Sequence, residues 1–155
     1  MTTPADLAIV PRDRRFTRGG PVARHWLNGD PVATAFFNAL SVTFPRGEAY
    51  FIESVRAFRD DVPDRLAGEI AAFITQEVVH TREHLAFNRH VTDQGYDVTL
   101  LEADVIKVLD LARQRTPIVS LAATMALEHF TALLAHGLLS DPQYLAGADP
   151  EAAAL

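Results

Sequence analysis

The chain has 155 residues, a length that suits one domain with a buried core. Its net charge of −6 lacks the basic surface that a nucleic-acid backbone requires, so no nucleic-acid partner is expected. It has no cysteine, which excludes disulfides, thiolate metal sites and a cysteine nucleophile and leaves His, Asp and Glu to hold any metal.

Residues 1–24 combine prolines, glycines and basic residues and read as an extended N-terminal arm. Arg12, Asp13, Arg14 and Arg15 are followed by no apolar core, so the segment does not have the form of a secretory signal. No apolar run approaches the ~20 residues of a membrane span, and a cytoplasmic protein without a membrane partner is expected. Trp26, beside His25, is placed to pack this arm onto the helical part of the chain.

Asp30 and Pro31 form a helix start, an N-cap followed by a proline at the first helical position. The next stretch directs Phe36, Phe37, Leu40 and Phe44 inward, and Pro45 and Gly47 are expected to interrupt it before the period resumes at Glu48. Pro63 opens a long helix to about His90, with Phe73, Ile74, Val78, Leu85 and Phe87 as its apolar stripe. "DQGYD" reads as a loop, and residues 99–114 as a shorter amphipathic helix. Pro117 starts a helix apolar on nearly every side, which is expected to be central. Residues 141–155 read as a weakly structured tail. With no strand pattern, the class is all-α, with the bundle over residues 25–140.

Glu77 and His80 are three residues apart on one helix, about 60° around its axis, so both side chains reach one point in space. Such a Glu-x-x-His unit is half of a di-metal carboxylate site, which in a four-helix bundle takes two such units and one Glu from each of two other helices. Glu48 and Glu128 stand on neighbouring helical stretches. Each feature has a plain alternative. Glu77 and His80 suit an exposed or hydrogen-bonded pair, Glu48 suits a residue favoured in the first turn after Gly47, and Glu128 suits a buried ion pair with Arg56 or Arg82. His84 lies ~10 Å along the axis from Glu77 and reads as a group supporting the ligands, a ligand itself, or a polar core histidine. His129 and His136 read as a structural or surface pair. "HTREH", residues 80–84, also fits the zinc-protease pattern H-x-x-E-H, with His80 and His84 as ligands and Glu83 as base.

"HWLNGDPVATAFFNALSVTFPRGEAYFIESVR", "FITQEVVHTREHLAFN" and "MALEHFTALLA" together resemble the bacterial family of predicted metal-dependent hydrolases, over about residues 25–139. The ligand pattern of that family is similar to ferritin-like di-iron proteins, including arylamine oxygenases. The resemblance implies a ferritin-like up-and-down helical bundle, with Glu48, Glu77, His80 and Glu128 at the first four metal positions. It implies a divalent metal, iron or manganese favoured by the carboxylate-rich ligands and zinc an alternative, in a site expected to be empty or half-occupied, and a small-molecule substrate. Family members continue into a helix with a second Glu-x-x-His. None occurs in these 155 residues, so the bundle is expected to be incomplete in the single chain, and a homodimer through the 118–139 helix is expected to cover its apolar face. An inert helical dimerisation module and a di-iron oxygenase are the alternatives to the hydrolase.

Overall fold

The computed structural model describes residues 8–13, 15 and 22–153. Most of the arm expected over residues 1–24, Arg14 included, lies outside them. The described residues form five α-helices: α1 Pro31–Arg56, α2 Asp64–Asp93, α3 Thr99–Arg113, α4 Pro117–Ser140 and α5 Pro150–Ala153. The only β feature among them is an isolated antiparallel bridge between Leu27 and Ala148. The protein is all-α.

Helix α1 is the hub. It packs most extensively against α2, then against α3 and α4. It starts as its sequence dictates: the Asp30 carboxylate accepts from the backbone N–H groups of Val32 and Ala33, and Pro31 occupies the first turn, where its missing N–H is no loss.

The expected interruption at Pro45 and Gly47 does not occur; α1 runs unbroken through both. A proline inside a helix leaves the carbonyl four residues earlier without its donor. Here that carbonyl belongs to Ser41, and the Asn88 side chain on α2 donates to it from Nδ2 at 3.1 Å. A side chain from the neighbouring helix replaces the hydrogen bond that Pro45 removes.

Much of the inward face of α1 is polar: Thr34, Asn38, Ser41, Glu48 and Ser54 are buried beside Val42, Tyr50 and Phe51. The buried stripe of α2 repeats every seven residues through Ile70, Glu77 and Val91, with partly buried His84 in the same register. Three residues expected to face inward are exposed instead: Phe36, Val78 and Leu85. Polar groups bridge α1 and α2 within this contact, Ser41 with Asn88 and Glu48 with Thr81.

The apolar core lies at the two ends of this contact. At one end Val22, Trp26, Leu27, Phe87, Val91 and Ala152 cluster. The Trp26 indole meets Phe87 edge-on at 6.0 Å and donates from Nε1 to Asn38 Oδ1 at 2.9 Å. The segment after residue 140 contributes here through a 3₁₀ turn, Pro142–Leu145, and α5, which buries Ala152. Its path requires Gly147: φ is +75°, and a Cβ there would lie 2.5 Å from Asn28 Oδ1. At the other end Tyr50 and Phe51 of α1 pack on Leu109 of α3.

Helix α4 is not central. Its only buried residues are Ser120 and Thr124, and Met125, Phe130 and Leu133 are each more than half exposed. It has 24 residues, and an 18-residue stretch within it has a mean hydropathy of 1.6, so by length and composition alone it could cross a membrane. That corrects the expectation that no apolar run reaches this length. Helix α4 turns its small polar residues, Ser120 and Thr124, toward α1 and leaves its large apolar ones outside.

Candidate metal centre

The middle of the α1–α2 contact holds the titratable groups. Glu48 of α1 and Glu77 and His80 of α2 bring one ligand atom each within 4.8 Å of one another. Glu77 is 2% exposed and Glu48 4%, while His80 opens to the surface. The His80 Nδ1 atom is 3.7 Å from Glu77 Oε1, the geometry that the i, i+3 spacing dictates.

Neither buried carboxylate is matched with a lysine or arginine among the described residues. The basic side chains that approach them are histidines: His80 at 3.7 Å from Glu77 and His84 at 3.7 Å from Glu48. Burial lowers the pKa of both histidines, that of His84 to about 4 with added repulsion from His80. Burial likewise pushes the Glu77 carboxyl up to about 8, assisted by the charges of Glu128 and Glu48. Glu48 rises to about 7, mainly by burial, although the Thr81 hydroxyl, donating to its Oε2 at 2.7 Å, stabilises the anion. Clustered carboxylates that lack a cation hold protons instead, and a divalent ion is the natural replacement for those protons. The donor set, two carboxylates and an imidazole converging in a buried polar pocket, therefore fits a metal.

Glu128 is the fourth residue singled out by sequence. It sits outside the 4.8 Å group, yet near enough to raise the pKa of both Glu48 and Glu77, and its own pKa is raised by burial. The ion pair considered for it with Arg82 is not formed, since Arg82 bonds Asp13 and Glu83, each at 2.6 Å. That bond also engages Glu83, the base in the H-x-x-E-H reading, and His84 is directed at Glu48. His129 and His136 are not buried on α4.

Residues 10–155 match the family described as predicted metal-dependent hydrolase. The chain belongs to that family. The match extends beyond the 25–139 stretch that carried the resemblance, and takes in the segment that ends at α5. No curated protein and no solved structure shows significant similarity to the chain. Metal dependence in a predicted metal-dependent hydrolase agrees with the Glu48, Glu77 and His80 group.

Sequence reasoning missed three residues at this centre. Thr81 bonds Glu48, and Ser41 and Asn88 bond each other beside His84. Thr81 carries no signal in one sequence. Ser41 does: it stands four residues before Pro45, so its carbonyl had to find a donor outside the helix.

An open groove of about 570 Å³ borders His80, lined by Gln76 and by Ala8, Ile9, Val10 and Arg12 of the N-terminal segment. The Arg82–Asp13 ion pair ties that segment to α2.

Proposed function

We propose that the protein is a metal-dependent hydrolase acting on a small molecule, with its ion held by Glu48, Glu77 and His80 and with Glu128 completing the carboxylate side. The observation that carries this reading is the buried Glu48–Glu77 pair, which has His80 within reach and no lysine or arginine partner among the described residues. An ion bound there supplies Lewis acidity and lowers the pKa of a coordinated water toward neutrality. The chain's own groups have defined tasks. Thr81 fixes one oxygen of Glu48, leaving the other for the ion. Half-exposed His80 stands between the buried carboxylates and the groove, where a substrate enters. Arg12, on the groove wall, is placed to attract an anionic group of that substrate.

Oxygen chemistry in a ferritin-like bundle is a second reading, and the donor set supports it. Hard carboxylate oxygens with few imidazoles suit iron or manganese better than zinc. One experiment separates the two. Protein loaded with Mn²⁺ or Zn²⁺ is assayed against a panel of chromogenic esters, amides and phosphoesters, and protein loaded with Fe²⁺ is assayed for oxygen uptake. Turnover of the panel that disappears in Glu77→Gln supports the hydrolase. Oxygen uptake lost in the same variant, without hydrolysis, supports the second reading. Turnover that survives chelation contradicts both.

We also propose that α4 pairs with α4 of a second copy. The proposal is supported by its exposed apolar residues, among them Ile118, Met125, Phe130 and Leu133, and by Glu128 being its only acidic or basic residue apart from its histidines. An uncharged apolar face is self-complementary about a two-fold axis. Such pairing is compatible with catalysis and is also what an inert association module would show.

A further inference from the structure

We infer that His84 is itself a metal donor, aimed with Glu48 at one ion by a hydrogen-bond relay that begins at Pro45. The inference rests on the proposed metal-dependent reading and adds to it a ligand that the Glu-x-x-His pattern does not supply.

The relay fixes every proton along it. Pro45 has no N–H, so the Ser41 carbonyl is open, and a carbonyl only accepts. The group donating to it at 3.1 Å must be the Asn88 amide nitrogen, which settles the orientation of that amide. The other end, Asn88 Oδ1, is then an acceptor, and it lies 2.8 Å from Ser41 Oγ. The single hydroxyl proton of Ser41 is spent on that bond. Toward His84 Nδ1, 3.0 Å away, Ser41 Oγ has only lone pairs to offer. His84 must therefore carry its proton on Nδ1, and a neutral imidazole protonated there has a bare lone pair on Nε2.

That lone pair meets Glu48 Oε1 at 3.7 Å. The separation is too long for a hydrogen bond, so a proton on the Glu48 carboxyl does not join the two atoms. It fits a shared ion. Two donors each ~2.1 Å from one metal lie roughly 3–4 Å apart, depending on the angle between them. The other oxygen of Glu48 is occupied by Thr81, so Oε1 is the one available. Phe44 packs edge-on against the His84 ring at 4.5 Å and restricts its rotation. A ring held in one tautomer by an outer hydrogen bond, with its free nitrogen beside a carboxylate oxygen, has the organisation of a metal-ligating histidine.

The test is the long-range ¹H–¹⁵N correlation spectrum of the histidines in the full chain at pH 7, without and with Zn²⁺, with His84 assigned from His84→Gln. In the metal-free protein His84 is expected as the Nδ1–H tautomer, and zinc is expected to shift its Nε2 to a metal-bound value. Ser41→Ala, checked by circular dichroism to retain its helices, is expected to weaken zinc binding about 10- to 100-fold. A proton on Nε2 in the metal-free protein overturns the inference, as does unchanged zinc affinity in Ser41→Ala. Zinc that shifts His80 and leaves His84 Nε2 unmoved also overturns it, and leaves the Glu48, Glu77 and His80 centre standing. Zinc that moves neither histidine overturns both.

Discussion

The Ser54 hydroxyl of α1 lies 2.7 Å from the Thr124 hydroxyl of α4, buried between the two helices. Ser120, Thr124 and Glu128 succeed one another at intervals of four along α4, so this contact stripe leads to the carboxylate that raises the pKa of Glu48 and Glu77. The Ser54–Thr124 bond thus seats Glu128. Thr124→Val is expected to destabilise the protein by about 1 kcal/mol in urea denaturation, and to increase amide exchange in α4 before the rest of the bundle. Unchanged exchange in α4 would show that its seating rests on other contacts.

Glu77, with Glu48 beside it, weighs on the pH dependence of the metal-free protein, and its pKa is raised the further of the two. Its folded-state pKa, about 8, is above the unfolded value near 4.3. The folded state therefore binds this proton more tightly. The stability it contributes is full below about pH 4.3 and is lost progressively as pH rises through about 8. Glutamine needs no proton, so Glu77→Gln is expected to be more stable than the parent by on the order of 2 kcal/mol at pH 8, and equal to it near pH 4. Denaturation curves at the two pH values check this. A variant less stable than the parent at pH 8 would mean that the carboxylate is charged and well paired.

Trp26 joins the segment before α1 to the core through Phe87, Phe37 and the Asn38 side chain. Trp26→Ala is expected to destabilise the fold by about 3–5 kcal/mol, while leaving the metal residues in place. Chemical denaturation with a parallel zinc titration reads both effects. A cost below about 1 kcal/mol would mean that the Trp26, Val22 and Ala152 cluster adds little to stability.

Helix identity was legible in the sequence because its signals are local. Asp30–Pro31, Pro63 and Pro117 mark starts that α1, α2 and α4 all use. The spacing of Glu77 and His80 was legible for the same reason, since i, i+3 proximity belongs to the helix itself. Features that depend on a partner helix were not. Pro45 looks like a break until Asn88 is seen to replace the missing donor. Val78 and Leu85 look buried until α1 is seen to present a polar stripe to the Glu77 side of α2. Helix α4 looks central because it is apolar around most of its circumference, whereas its seat on α1 is made by Ser120 and Thr124.

The exposed face of α4 is expected to make the protein a dimer at micromolar concentration. Light scattering across a dilution series should give twice the chain mass, and Phe130→Glu with Leu133→Glu should give the single-chain mass. A monomer in the parent protein contradicts the pairing. Binding to neutral phospholipid vesicles that both substitutions abolish would assign this face to a membrane instead.

Metal content tests most directly whether Glu48, Glu77 and His80 hold a divalent ion. Calorimetric titration of chelator-treated protein with Mn²⁺ and Zn²⁺, supported by elemental analysis after dialysis, is compared among the parent, Glu77→Ala and His80→Ala. At least one ion per chain is expected in the parent, with affinity reduced roughly 100-fold or more in Glu77→Ala, as loss of a direct ligand should exceed the roughly 10- to 100-fold effect of losing an outer partner. A parent protein that binds no more metal than Glu77→Ala would contradict a metal centre at these residues.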